Sequence, residues 1–273
     1  MPKSRHAPKG VASPSFPSGT AVSFQPKKRA AYNVKVLSGL DRLNLVTMLH
    51  EKARAEMSET QRHFLLPKPP GYFRDLLTGK TGILLSSFAN DEPVGSLSVV
   101  WADSFAAAHA EGRLTCPDPD GHLAKTYCEG HVGVIQAMSV RSAYMGRGFS
   151  RALIQAAIKQ ANRHGCVHLF AQIAEQNTLS WLRFLDQDFA LLAVWASEHR
   201  RFLLRWLPPE EKERLISRSG AAGRQSFSKN YAQLPSLMAQ LEARLEQGYM
   251  AFLDNKPDES GTLRFVFSHE RLS

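Results

Sequence analysis

The chain has 273 residues, 43% of them hydrophobic, and a formal net charge of +9. That is enough apolar material for an ordinary packed core, and it excludes a disordered or low-complexity protein. No apolar run approaches the roughly 18 residues needed to cross a bilayer, and the N-terminus lacks the apolar stretch of a secretory signal. Cys116, Cys128 and Cys166 form no CxxC pair and no disulfide framework, so the expectation is a soluble, cytoplasmic protein. Residues 1–33 contribute Lys3, Arg5, Lys9, Lys27, Lys28 and Arg29 without one acid, while the segment from Pro209 onward balances its charges. The middle of the chain is therefore only mildly basic, which suits an anionic cofactor and argues against nucleic acid as the main partner.

In chain order, residues 1–32 are rich in Pro, Ser, Gly and Lys and read as a flexible basic tail. The same composition permits a transit peptide or an export signal. Asn33–Leu37 reads as a short strand. Leu40, Leu43, Val46, Met48, Leu49 and Ala53 then recur at helical spacing as far as Met57. The prolines at 67, 69 and 70 break the chain before a short helix around Phe73–Leu77. Gly82–Ala89 and Pro93–Trp101 flank the turn Asn90-Asp91-Glu92 and predict a β-hairpin. Residues 102–129 have little strand pattern and read as an inserted loop, partly helical near 106–111.

Val132–Val140 is apolar on both alternating faces and is the best candidate for a central strand. Gly148 opens a helix with Phe149, Ala152, Leu153, Ala156, Ala157 and Ala161 on one face, ended by Gly165. A strand at 166–174, a helix at 178–187 introduced by Asn177, and strands at 190–196 and 201–206 follow. Beyond Pro208-Pro209 come a polar helix, a Gly/Ser-rich break at 219–228, an amphipathic helix at 234–247 and a strand at 262–268. The boundaries implied are a tail (1–32), a main domain (33–207) and a C-terminal α/β appendage (208–273). The 234–247 helix, with Leu234, Leu237, Met238, Leu241 and Leu245, packs on its own domain or forms a homodimer contact.

A buried strand leading into a glycine-rich turn and a helix is suited to binding phosphate, because the first helical amides lack internal partners and carry partial positive charge. Gly146 and Gly148 let a backbone approach a pyrophosphate closely, and Arg147 and Arg151 add charge. Alone, such a turn is weak evidence, because most turns of this kind need glycine for geometry and not for a ligand.

The wider run Ile135-Gln-Ala-Met138-Ser-Val140-Arg-Ser-Ala-Tyr144-Met-Gly146-Arg-Gly148 resembles the signature region of the GNAT acyltransferases, which place a strand ending in Val before Arg/Gln-x-x-Gly-x-Gly/Ala. The segment from Asn177 to Phe189 is similar to that family's Asn-x-x-Ala/Ser-x-x-Phe-Tyr-x-x-x-Gly-Phe. The resemblance implies a mixed central sheet flanked by helices, with acetyl-CoA as co-substrate. It further implies that backbone groups of Met138, Ser139 and Val140 pair with the pantetheine arm and that Gly146, Arg147, Gly148, Phe149, Ser150 and Arg151 hold the pyrophosphate. Asn177 would lie near the cofactor arm, a role compatible with that of a helix N-cap. Met145 replaces the family's Arg or Gln, Asp188 its Gly, and Leu185 the tyrosine that in many members protonates the departing thiolate.

Acyl transfer needs an amine aligned on the thioester, a base for its proton, and polarisation of the carbonyl. Glu129 and His131, at the entry to the central strand, are the candidate bases, with a solvated carboxylate and a strand-end imidazole as the plainer readings. Gln136, within an apolar strand, suggests a bulge, a carbonyl contact or a polar edge position. The spacing of Cys116, His122, Cys128 and His131 matches no standard zinc signature, and Asp118 and Asp120 lack the remaining ligands of a calcium loop. The expected activity is transfer of acetyl or another short acyl group to an amine on a small molecule or a protein. A catalytically silent domain that binds coenzyme A or a protein is the alternative, motivated by Leu185 and Met145.

Overall fold

The structure is a computed structural model that describes residues 33–116, 121–195, 200–219, 223–228, 234–254 and 262–269. The predicted tail at 1–32 and the Asp118 and Asp120 positions lie outside them. Among the described residues ten strands, numbered in chain order, form one sheet in the order β1-β2-β3-β4-β5-β7-β6-β9-β10-β8. The first three, β1 (Asn33–Leu37), β2 (Gly82–Ala89) and β3 (Glu92–Ala102), make an antiparallel meander onto β4 (Val132–Val140). Its β2–β3 turn is tight because Asn90 and Asp91 take positive φ, 49° and 63°, which these residue types tolerate. Among the described residues only β4 and β5 (His168–Ala174) run parallel, and α5 (Phe149–Arg163) connects them. The antiparallel strands β7 (Arg201–Trp206) and β6 (Phe189–Trp195) follow.

Helices cover both faces. Helix α5, α6 (Thr178–Leu185) and α8 (Leu234–Glu246) bury Leu153, Ile154, Ala157, Trp181, Phe184 and Leu241 against one face. Against the other lie α1 (Leu43–Ala55), α2 (Tyr72–Leu77), α3 (Phe105–Ala110), α4 (His122–Thr126) and α7 (Pro209–Ser219). Val46, Phe73, Phe105, Tyr127 and Leu215 are buried in this second core. The expected fold class, a mixed sheet flanked by helices, is the one observed.

Three elements differ from the sequence reading. Helix α4 lies within the segment read as a loop, and β8 (Arg224–Ser228) lies within the Gly/Ser-rich break. β9 (Tyr249–Leu253) pairs at Ala251 with Leu191 of β6, so β9, β10 (Thr262–His269) and β8 extend the central sheet. Leu237, Leu241 and Leu245 of α8 are all buried in the shared core, so this apolar stripe is used within the chain.

Candidate active site

The register of β4 against β5 runs from Val132↔His168 to Ile135↔Ala171 and stops. Beyond it, β4 stays with β3 (Ser139↔Ser96, Val140↔Gly95) while β5 stays with β7 (Ile173↔Phe202, Ala174↔Arg201), so the two parallel strands part. A local cause is visible in β4. Its register against β3 shifts between Ser96 and Ser98, and Ala137 holds φ at +46°, so the strand bulges and bends. The prediction that β4 is buried on both faces therefore holds for Val132, Gly133, Val134 and Ile135, whereas Gln136, Ala137 and Met138 are only half-buried beside the gap.

Gln136 points to the face covered by α1–α4. Its amide oxygen accepts from the Tyr72 hydroxyl at 3.0 Å and its amide nitrogen donates to the Arg113 carbonyl at 2.9 Å. Ser98 donates to the Gln136 carbonyl at 2.9 Å and lies 2.7 Å from the Tyr72 hydroxyl. Burial pushes the Tyr72 phenol up to about 12, so it remains a neutral hydroxyl at any physiological pH. Gln172 of β5 binds the backbone of Thr115 through both ends of its amide, which fixes the 111–115 loop over the parted strands.

These groups wall a cavity of about 590 Å³, lined also by residues 64–70, Gln136, Gln172 and Arg201. Lys68, in this wall, holds its ammonium 4.6 Å from the centre of the Tyr72 ring. Burial, and then the charge of Arg201, lower the Lys68 ammonium to about 8. The carboxylates lining the cavity are Asp75 and Glu111, and Glu111 is paired with Arg113 at 2.6 Å.

The phosphate-type turn lies on the opposite face, at the start of α5. Gly146 and Gly148 have φ of +74° and +92°, which side chains rarely adopt, and Gly148 is the N-cap. Phe149 is 1% exposed and anchors the helix, Ser150 is half-buried, and Arg147 and Arg151 are exposed. The turn is braced from behind: Arg141 and Tyr144 both bind the carboxylate of Glu92, and the Ser142 amide donates to Glu56 at 2.9 Å. These bonds hold both carboxyls below the usual carboxylate range. Met138 and Val140 pack towards the α5 core, and Ser139 bonds Ser96.

The structure places the other predicted residues as follows. Asn177 caps α6 through its carbonyl, which accepts from Ser180 and Trp181, while its side chain makes no capping bond. Leu185 is 1% exposed in the core, so no donor stands there. Glu129 and His131 do not meet the expectation that they face the acceptor cleft: both are exposed where β4 begins, at the end remote from the parting, and neither lines the cavity. His131 faces Asp103 at 3.5 Å. Burial pushes the Cys166 thiol up to about 11, which makes it a poor nucleophile. Lys68 in the Pro-rich connection, Tyr72 at the start of α2 and Arg201 at the start of β7 were not singled out, because only the fold brings them together.

The parted strands thus carry a phosphate-type turn on one face of the sheet and a cavity on the other. The sequence profile described as the acetyltransferase (GNAT) family matches residues 47–187, and the chain belongs to that family. Among solved structures, the fold is similar to Arabidopsis thaliana NAA60 in complex with acetyl-CoA, at 12% identity and a TM-score of 0.47 over 65% of this chain and 100% of that one. It is also similar to an N-acetyltransferase from Staphylococcus aureus Mu50, at 13% identity and a TM-score of 0.47 over 65% and 97%. No curated protein matches the chain. The family assignment rests on the profile match.

Proposed function

We propose that the protein transfers an acetyl or other short acyl group from coenzyme A to an amine by direct attack within a ternary complex. The observation that carries this reading is the end of the β4–β5 register at Ile135↔Ala171, where the two parallel strands part beside the cavity lined by Ile135, Gln136 and Ala137. In this reading the pyrophosphate sits on Gly146–Arg151, the pantetheine arm pairs with the backbone of Met138, Ser139 and Val140 near Asn177, and the thioester reaches Gln136. The amine nitrogen attacks the carbonyl carbon, the C–S bond breaks, and the proton lost by nitrogen balances the one gained by the thiolate. No enzyme-bound intermediate is needed, so much of the rate comes from alignment.

With Leu185 apolar and Glu129 and His131 remote, proton transfer falls to water and to the polar groups of the cavity wall, Tyr72 among them. Residues 33–207 form the transferring unit in this proposal, with 208–273 widening its sheet.

The test is calorimetric titration with acetyl-CoA of the full chain and of two variants. Gly148→Asp puts a carboxylate into the turn at a backbone conformation that suits only glycine. Arg151→Glu reverses an exposed charge without backbone strain. Both are expected to weaken binding at least tenfold while circular dichroism stays unchanged. Parent protein that does not bind acetyl-CoA would sink the proposal, and binding without thiol release in the presence of amines would reduce it to a coenzyme-binding module.

A further inference from the structure

The cavity wall holds more cations than the carboxylates facing them can neutralise. Lys68, Arg113 and Arg201 line it together with Asp75 and Glu111, and Glu111 is already engaged by Arg113. Among the described residues neither Lys68 nor Arg201 has a salt-bridge partner. The influences that shift Lys68 are burial and the repulsion of Arg201, with no attraction from Asp75 or Glu111. Two cations lining one concave site with no salt-bridge partner there are costly, and protein interiors pair such charges. The cost is recovered when a bound anion supplies the missing charge.

Lys68 and Arg201 also come from separate elements. Lys68 follows the Phe64–Leu66 stretch, and Arg201 opens β7 on the same sheet face as Gln136 and Gln172. The flanking Pro67, Pro69 and Pro70 stiffen the segment that presents Lys68, so the lysine is placed by the chain rather than left loose. The volume of about 590 Å³ lies within the range of small-molecule sites.

Resting on the acyltransferase reading above, we infer that the acceptor is a small amine carrying a carboxylate, an amino-acid-type molecule whose carboxylate lies between Lys68 and Arg201 while its amine faces the parted strands at Gln136. The reaction is then formation of an amide on the amine nitrogen with release of the coenzyme thiol. The carboxylate takes no part in bond making and serves to orient.

The experiment offers the full chain acetyl-CoA with each of the twenty standard amino acids, each matching C-terminal amide, and a short neutral peptide with a free N-terminus and a blocked C-terminus. Thiol release reads turnover, and calorimetry of the same acceptors in the presence of free coenzyme A reads binding. At least one amino acid is expected to exceed its amide tenfold or more in kcat/KM. Lys68→Gln and Arg201→Gln should raise the KM for that acceptor ten- to a hundredfold, leave the KM for acetyl-CoA unchanged, and abolish the preference over the amide. Lys68→Arg should restore it. Equal handling of acid and amide, faster reaction of the blocked peptide, or variants that lose acetyl-CoA instead would overturn the inference. Should acetyl-CoA fail to bind, the functional reading falls by itself, and acid-versus-amide binding, measured without coenzyme, still decides this one.

Discussion

Tyr72 is the side chain through which the cavity, the bulge and α2 are joined. Its hydroxyl reaches both Ser98 on β3 and the Gln136 side chain on β4, and Gln136 in turn holds the Arg113 carbonyl. Removing the hydroxyl takes the donor from the half-buried Gln136 amide oxygen and one neighbour from the buried Ser98 hydroxyl, which keeps its bond to the Gln136 carbonyl, at a cost of about 1 kcal/mol. Tyr72→Phe is therefore expected to lower stability by that amount in a urea titration. It should cut kcat about tenfold with little change in the KM for acetyl-CoA, because the lost bond aligns the acceptor side of the site. An unchanged kcat would show that the network serves packing alone. The sequence made Gln136 conspicuous as a polar residue in an apolar run, but it could not supply the partner, which lies 64 positions earlier. Glu129 and His131 drew attention for their chemistry and their closeness to β4. The direction of the strand sets them at the end of β4 away from the point where its pairing with β5 stops.

At the scale of elements, β2 and β3 approach so closely that glycine is required for space and not only for conformation. A Cβ at Gly82 would stand 2.0 Å from the Val99 carbonyl oxygen and 2.8 Å from the Val100 Cα, both backbone atoms that cannot rotate away. Gly82→Ala should cost about 3 kcal/mol in chemical denaturation, the upper part of the overpacking range. Gly79→Ala is the informative contrast, because there nothing lies within 4 Å and the only penalty is φ of +73°, about 1 kcal/mol. A similar loss for both would refute the close-approach argument. Elements with strong period signals, such as β4 and α5, were legible with their ends nearly correct. β8 and β9 were not, because each has only five residues and gains its strand character from pairing with a neighbour distant in sequence.

Across the whole molecule the buried polar groups set how stability follows pH. Burial, with Arg205 beside it, lowers His168 to about 4, and burial lowers His50 as well. A histidine depressed in the folded state takes up its proton more readily when unfolded, so its contribution is intact above about 6.5 and is lost as pH falls towards 4. For His168 alone the loss reaches about 2 kcal/mol by pH 5. Urea midpoints should fall between pH 7 and pH 5, and His168→Gln should flatten that dependence. A parent curve flat over this range would show that the imidazole is better solvated than its packing against Tyr127 and Phe170 implies. The same chain-wide view separates two kinds of determination. Local physics sufficed for the turn at Gly146–Arg151, because its glycines, its charge and the helix that follows are contiguous and act within one turn. It sufficed also for β4, α5 and the general α/β class, whose periodicities repeat along the chain. The parting of β4 from β5, the joining of the C-terminal strands to the sheet, and the meeting of Lys68, Tyr72, Gln136 and Arg201 depended on tertiary structure. Each is a relation between segments far apart in sequence, and only the register of the sheet and the packing of its two faces bring them together.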